Sequence, residues 1–224
     1  MTLYVPHHFA LPDDAAARAL VAAVHVGQLV TVGPDGVPDA TLLPVLWTGD
    51  EVVVHLARAN EHWRRITDGS PGLLVVTGPD AYVTPRWYAS KREHGRVVPT
   101  WNYSVVHLSG PVTVHDDTLW LRDAVTRLTD RQESRTAGSE RAWRVDDAPE
   151  RFVEGQLRAI VGVSMRVTRV EGKVKHSQNR SEADRAGVVE GLSASGEPGG
   201  VAVAEQMQAA SEAAASEPAS EPDQ

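Results

Sequence analysis

The chain has 224 residues, 42% hydrophobic and 23% charged, a globular composition long enough to bury one substantial core. It has no cysteine, which excludes a disulfide framework, a thiolate nucleophile and Cys-ligated zinc or iron–sulfur centres. The formal net charge is −8, but residues 193–224 hold six carboxylates and no Lys or Arg, so the body is close to neutral and direct DNA binding through a basic stripe is not expected.

The opening MTLYVPHHFALPDD has no basic segment followed by an apolar one, and no apolar run reaches the length of a membrane span. A cytoplasmic protein without a membrane anchor is expected. Pro12-Asp13-Asp14 opens an Ala-rich helix that runs to about His25, with Leu20, Val21 and Val24 on its apolar side. GQLVTVGPDGVPDATLLPVLW reads as two strands around the turn Gly33-Pro34-Asp35-Gly36. EVVVHLA is a third strand. NEHWRRITDG is a short helix with Asn60 as N-cap and Gly69 as its stop.

GLLVVTG and AYVTPRWY read as two further strands, and NYSVVHLSGPVTVHD as a long one bent or bulged at Gly110-Pro111. Segments 118–132 and 149–158 have helical patterns, and IVGVSMRVTRVEGKVK closes as one long alternating strand. Strands joined by hairpin-length turns, with few helices, predict a mainly antiparallel β-barrel with peripheral helices. From residue 193 the chain is Ala, Ser, Glu, Pro and Gly without aromatics, which predicts a disordered acidic tail (193–224) after a single domain (1–192).

No G-x-G-x-x-G, P-loop, H-E-x-x-H or G-x-S-x-G motif occurs. The nine histidines show no metal-ligand spacing, and His55, His107 and His115 each sit within a strand pattern, where a hydrogen-bonded structural role is the ordinary one. Three segments carry candidate chemistry. In HLARANEHW, Arg58 precedes a helix start at Asn60, an arrangement that suits one phosphate, although by itself the segment reads first as a cap beside a solvated arginine. In GKVKHSQN, Lys175 and Ser177 share a strand face with Gln178 beyond them, a set suited to a phosphate or the polar edge of a heterocycle, or simply a polar loop. In VVPTWNYSVVHLSG, Pro99 holds Val98 extended, and alternation puts Trp101 and Tyr103 on one face with Asn102 on the other. Aromatic walls with one amide suit a planar ligand, while a core or dimer-interface cluster is the alternative.

Taken in order, YVPHHF, LARANEHW, GPDAYVTPRWY, VPTWNYSVVHLSG, IVGVSM and EGKVKHSQN resemble the PaiB-type FMN-binding negative transcriptional regulators over residues 1–192. The resemblance implies a split β-barrel like that of pyridoxamine-phosphate oxidases and flavin reductases, a homodimer, and FMN at the subunit interface. It would place Trp101, Asn102 and Tyr103 at the flavin or its dimer wall and the phosphate at the Arg58–Asn60 turn. Lys175, Ser177 and Gln178 would contact the phosphate or pyrimidine rim. Thr41, Leu42 and Pro44 would present backbone to the ring, with His55 and Trp63 peripheral. The function implied is regulation of transcription, through a protein partner or a patch formed in the dimer. The alternatives are a flavin-dependent oxidoreductase, with His107 and Tyr103 as candidate proton donors, and a haem-binding protein using a strand histidine.

Overall fold

The computed structural model describes residues 3–138 and 140–216. Eight strands form its sheet: β1 (Val26–Val32), β2 (Pro38–Pro44), β3 (Leu46–Thr48), β4 (Glu51–Ala57), β5 (Pro71–Val83), β6 (Thr100–His115), β7 (Ile160–Arg166) and β8 (Arg169–Lys175). Their order is β2-β1-β5-β6-β7-β4-β3, with β8 paired to β6 off this path. The β1–β2, β1–β5, β3–β4, β4–β7 and β6–β7 pairs are antiparallel. The path does not close on itself, and a mainly antiparallel split barrel with peripheral helices is the architecture observed.

The helices are α1 (Asp14–Val24), α2 (Ser90–His94), α3 (Thr118–Thr136), α4 (Glu150–Leu157), α5 (Glu182–Ser195) and α6 (Pro198–Ser216). Asp13 caps α1 by accepting from the Ala16 amide at 2.8 Å. Gly33-Pro34-Asp35-Gly36 turns the first hairpin, and its register pairs Val26 with Pro44 and Val32 with Pro38.

The chain divides into two compact units. The first holds residues 12–76 and 106–172, and the second residues 4–11, 77–105 and the chain from Lys173 onward. In the first unit, alternate strand residues such as Leu29, Val54, Leu74 and Val163 are buried, and α3 and α4 add a cluster of Leu121, Val145, Val153 and Leu157. In the second unit, Val83, Tyr88, Val188, Leu192, Val203 and Met207 form the core.

Three expectations are corrected. GLLVVTG and AYVTPRWY are one 13-residue strand, because β5 lies beside the longer β6, which holds it extended through Gly78-Pro79. The closing segment is two strands, β7 and β8, separated at Val167-Thr168. β6 is one continuous strand through Gly110-Pro111, where a Cβ on Gly110 would lie 1.8 Å from the Arg166 carbonyl oxygen, so glycine is required for close backbone approach.

The third correction concerns the tail. Pro198–Ser216 is helical, and Val203, Ala204 and Met207 are buried against the second unit's core. Val203 and Ala204 lie four and three residues before Met207, spacings that bring both to its side of the helix. Small residues permit the contact: a Cβ on Gly199 would stand 2.6 Å from the Asp80 carbonyl oxygen. The remainder of the expected tail, 217–224, lies outside the described residues.

Candidate functional site

The thirteen residues expected to form a site divide between the two units. Thr41, Leu42, Pro44, His55, Arg58, Asn60 and Trp63 belong to the first. Asn60 caps a five-residue 3-10 helix (Glu61–Arg65), its Oδ1 accepting from the His62 amide at 3.0 Å. Its Nδ2 donates to Thr41 Oγ1 at 3.3 Å. His62, which sequence reasoning passed over, is buried between two threonines: Nε2 lies 2.9 Å from Thr31 Oγ1, and Nδ1 lies 2.8 Å from Thr41 Oγ1. Burial pushes its pKa down, and the neutral ring ties the first hairpin to the turn.

Arg58 is engaged through four of its five N–H donors. Its guanidinium forms a bidentate pair with the Asp116 carboxylate and donates to the carbonyls of Arg158 (2.8 Å) and Ile160 (3.0 Å). That pairing holds the Asp116 carboxyl below the usual range. A guanidinium spread over four acceptors, beside a helix of little more than one turn, is a structural clamp. Trp63 donates its Nε1 hydrogen to the Arg58 carbonyl at 2.9 Å. His55 lies on β4 opposite Gly162, away from this network, with its Nδ1 buried and unpartnered and its pKa lowered by burial.

Thr41 points inward, whereas Leu42, 63% exposed, and Pro44 point outward. They belong to a face set by strand alternation. Val26, Gln28, Val30 and Val32 of β1 stand opposite Pro44, Leu42, Ala40 and Pro38 of β2. Seven of these eight are apolar, while the residues between them, including Gly27, Leu29, Thr31 and Leu43, are buried. β2 ends the strand order, so an apolar face borders a sheet edge.

Trp101, Asn102, Tyr103, Lys175, Ser177 and Gln178 lie in the second unit. Alternation along β6 separates Trp101 and Tyr103 from Asn102 as expected, but Asn102 is 0% exposed. Its Nδ2 donates to Ser177 Oγ at 3.1 Å and toward Met207 Sδ at 3.6 Å, and Ser177 Oγ donates to its Oδ1 at 3.2 Å. Ser177 follows β8 in the left-handed region, φ 62°. Gln178 uses both ends of its amide to close the end of β8, accepting from the His176 amide and donating to the Val174 carbonyl.

The opposite character belongs to β8's lysines. Lys175 donates to Thr100 Oγ1, and its pKa is lowered by burial and by the charge of Lys173. The Lys173 ammonium lies 5.2 Å from the Tyr103 ring centre, 5.5 Å from that of Tyr4 and 6.0 Å from that of Phe9. Among the described residues neither ammonium has a carboxylate partner. Trp101 is half-exposed, bonded through Nε1 to Asp80 at 2.8 Å and tilted against Tyr82. Lys173 was missed, although the alternation in KVK places it on the same strand face as Lys175. His107, expected as a proton donor or haem ligand, has its Nδ1 buried without a partner and its pKa pushed down by burial.

Comparison with known proteins places these observations. Residues 3–169 match the family described as "Putative FMN-binding domain". The chain is 29% identical over 210 residues to the Bacillus subtilis protein named "Protease synthase and sporulation protein PAI 2", covering 92% of this chain and 97% of that one. It is 38% identical over 148 residues to an uncharacterized Aspergillus fumigatus protein, covering 60% of this chain but only 57% of the relative's length. Among solved structures it resembles the flavocytochrome Anf3 of Azotobacter vinelandii (TM-score 0.56, 18% identity, 80% of this chain and 76% of that one). It also resembles a FAD and heme binding protein of Mycobacterium smegmatis (TM-score 0.55, 19% identity, 79% and 78%). These two likenesses concern the fold. With the family matched over most of the chain and its strands arranged as a split barrel, the protein belongs to the FMN-binding family of the PaiB type.

Proposed function

We propose that this protein is a homodimeric, FMN-dependent regulatory protein, and that Lys173 and Lys175 hold the flavin's phosphate. The observation that carries the reading is the pair of ammonium groups on one face of β8, without carboxylate partners among the described residues and beside Tyr103. Two uncompensated cations, a phenol ring and a half-exposed indole are a donor set that fits a phosphate-bearing planar ligand. A dianionic phosphate would counter the burial and the Lys173 charge that lower the Lys175 pKa. FMN when bound supplies redox-active flavin chemistry, and the chain supplies charge and orientation. Lys173 and Lys175 would neutralise the phosphate, and Tyr103 and Trp101 would offer aromatic surface to the ring. The Arg58 turn is not assigned to the phosphate, because four of the five guanidinium N–H donors are already in use and its charge is paired with Asp116.

The apolar face of β1 and β2 supports the dimer. An exposed set of Val26, Val32, Ala40, Leu42 and Pro44 around the half-buried Val30 is unusual on a monomer. Regulation is supported by similarity to the Bacillus protein whose name ties it to protease synthesis and sporulation. The near-neutral body favours action through a protein partner.

The test is a paired titration with FMN and riboflavin, followed by visible absorption, with mass measured by sedimentation. Lys173→Ala/Lys175→Ala is expected to weaken FMN by about 10–100-fold per lysine and riboflavin hardly at all. An equal loss for both ligands would place the phosphate elsewhere. Leu42→Glu is expected to halve the sedimenting mass, and a variant that stays dimeric would reject this face. Turnover of NADH or NADPH by the flavin-loaded protein would redirect the reading to an oxidoreductase.

A further inference from the structure

An open groove of about 1200 Å³ runs along the end of β8, α5 and α6 in the second unit. Every residue that lines it follows the segment matched to the FMN-binding family. Val174, Val189 and Met207 make its apolar surface. Glu182, Glu190 and Glu212 line it against one cation, Arg185. His176, 6% exposed, lies in the wall, and burial pushes its pKa down to about 4, so it adds no charge near neutral pH. Two buried polar atoms of this wall, His176 Nε2 and Arg185 Nε, have no hydrogen-bond partner among the described residues. A finished protein interior rarely leaves two such atoms in the wall of one groove.

We propose that this groove binds an amphipathic organic cation, its apolar body on Val174, Val189 and Met207 and its charge facing the three glutamates. Size and sign both select this class. The volume exceeds what a metal ion or a simple amine fills and suits a ligand of drug-like dimensions. The ionised side chains give the lining a formal charge of −2, which repels an organic anion. A neutral apolar ligand would cover carboxylates without compensating them. The site does not depend on bound flavin. It also reaches the β6 segment, since Met207 accepts from Asn102, which stands between Trp101 and Tyr103 in sequence.

The experiment uses two ions of one shape and opposite charge, tetraphenylphosphonium and tetraphenylborate, with the full-length protein labelled at its methionine methyl groups. Only Met1, Met165 and Met207 contribute resonances, and Met165 is a buried internal reference in the first unit. The phosphonium is expected to shift Met207 saturably and leave Met165 in place, with the borate at least about tenfold weaker. Ala210→Trp, at an exposed lining position, is expected to abolish the Met207 response while Met165 reports an intact fold. Replacing Glu182, Glu190 and Glu212 together by Gln is expected to weaken the phosphonium by about tenfold or more. The proposal is overturned by an unshifted Met207, by equal binding of both ions, or by undiminished binding to folded Ala210→Trp. Because no flavin enters the measurement, its failure is separate from failure of the phosphate assignment.

Discussion

Asn102 gives the sharpest prediction, because sequence and structure assign it different work. Alternation made it a candidate to read a flavin edge, whereas the structure buries it completely against Ser177 and Met207. Asn102→Ala removes the amide and leaves the buried Ser177 hydroxyl without its partner. Losing a hydrogen bond costs about 1 kcal/mol and orphaning a buried polar group about 1–3 kcal/mol, so a loss of about 2–4 kcal/mol is expected. With a urea m-value of about 2 kcal/mol/M, the unfolding midpoint should fall by about 1–2 M. Circular dichroism across a urea series measures it.

The partner variant sharpens the test. Ser177→Ala orphans the amide instead, and Asn102→Ala/Ser177→Ala removes both groups together. The double variant should therefore be more stable than the sum of the singles predicts, by about 1–2 kcal/mol. FMN affinity of the folded protein should stay within about threefold, since groups that do not touch the ligand couple to it weakly. An Asn102→Ala protein as stable as its parent, yet binding FMN ten times more weakly, would refute the reasoning. So would strictly additive losses in the cycle.

Three further outcomes are expected. Arg58→Ala should lower the melting temperature while leaving FMN and riboflavin affinities unchanged, and a selective loss of FMN would restore the turn as the phosphate site. Val203→Asp sets an unpaired charge inside the second unit's core, and at about 3–5 kcal/mol it should detach α6; limited proteolysis then cuts between 196 and 216, where the parent resists. His176 stays neutral in the fold with a pKa of about 4 against the ordinary 6.5, so the unfolded chain binds its proton first. The associated stability is full above pH 6.5 and is lost as pH falls toward 4, at about 3 kcal/mol for the whole window. His176→Leu should flatten that part of the urea-midpoint profile, and an unchanged slope from pH 7 to 4 would reject it.

What could be read from the chain alone was what is local and periodic. The hairpin at Gly33–Gly36, the N-cap at Asn60 and the opposite facing of Asn102 from Trp101 and Tyr103 all follow from neighbours within a few residues. What each group faces is a long-range fact. Arg58 beside a helix start looks like an anion site until Asp116, 58 residues away, occupies its guanidinium. Lys175 stands out in GKVKHSQN, yet only the fold shows that Lys173 sits among the rings of Tyr103, Tyr4 and Phe9. The tail misled for a thermodynamic reason. Composition counts how much apolar surface a segment could bury, and 198–216 has little. It cannot count how closely small residues approach, and α6 is held where Gly199 meets the Asp80 backbone and Val203 and Met207 reach Val188 and Leu192. Low complexity therefore argues for disorder only where no neighbouring surface is shaped to receive it. In this protein α5 provides such a surface, and the groove along α5 and α6 exists because α6 docks there.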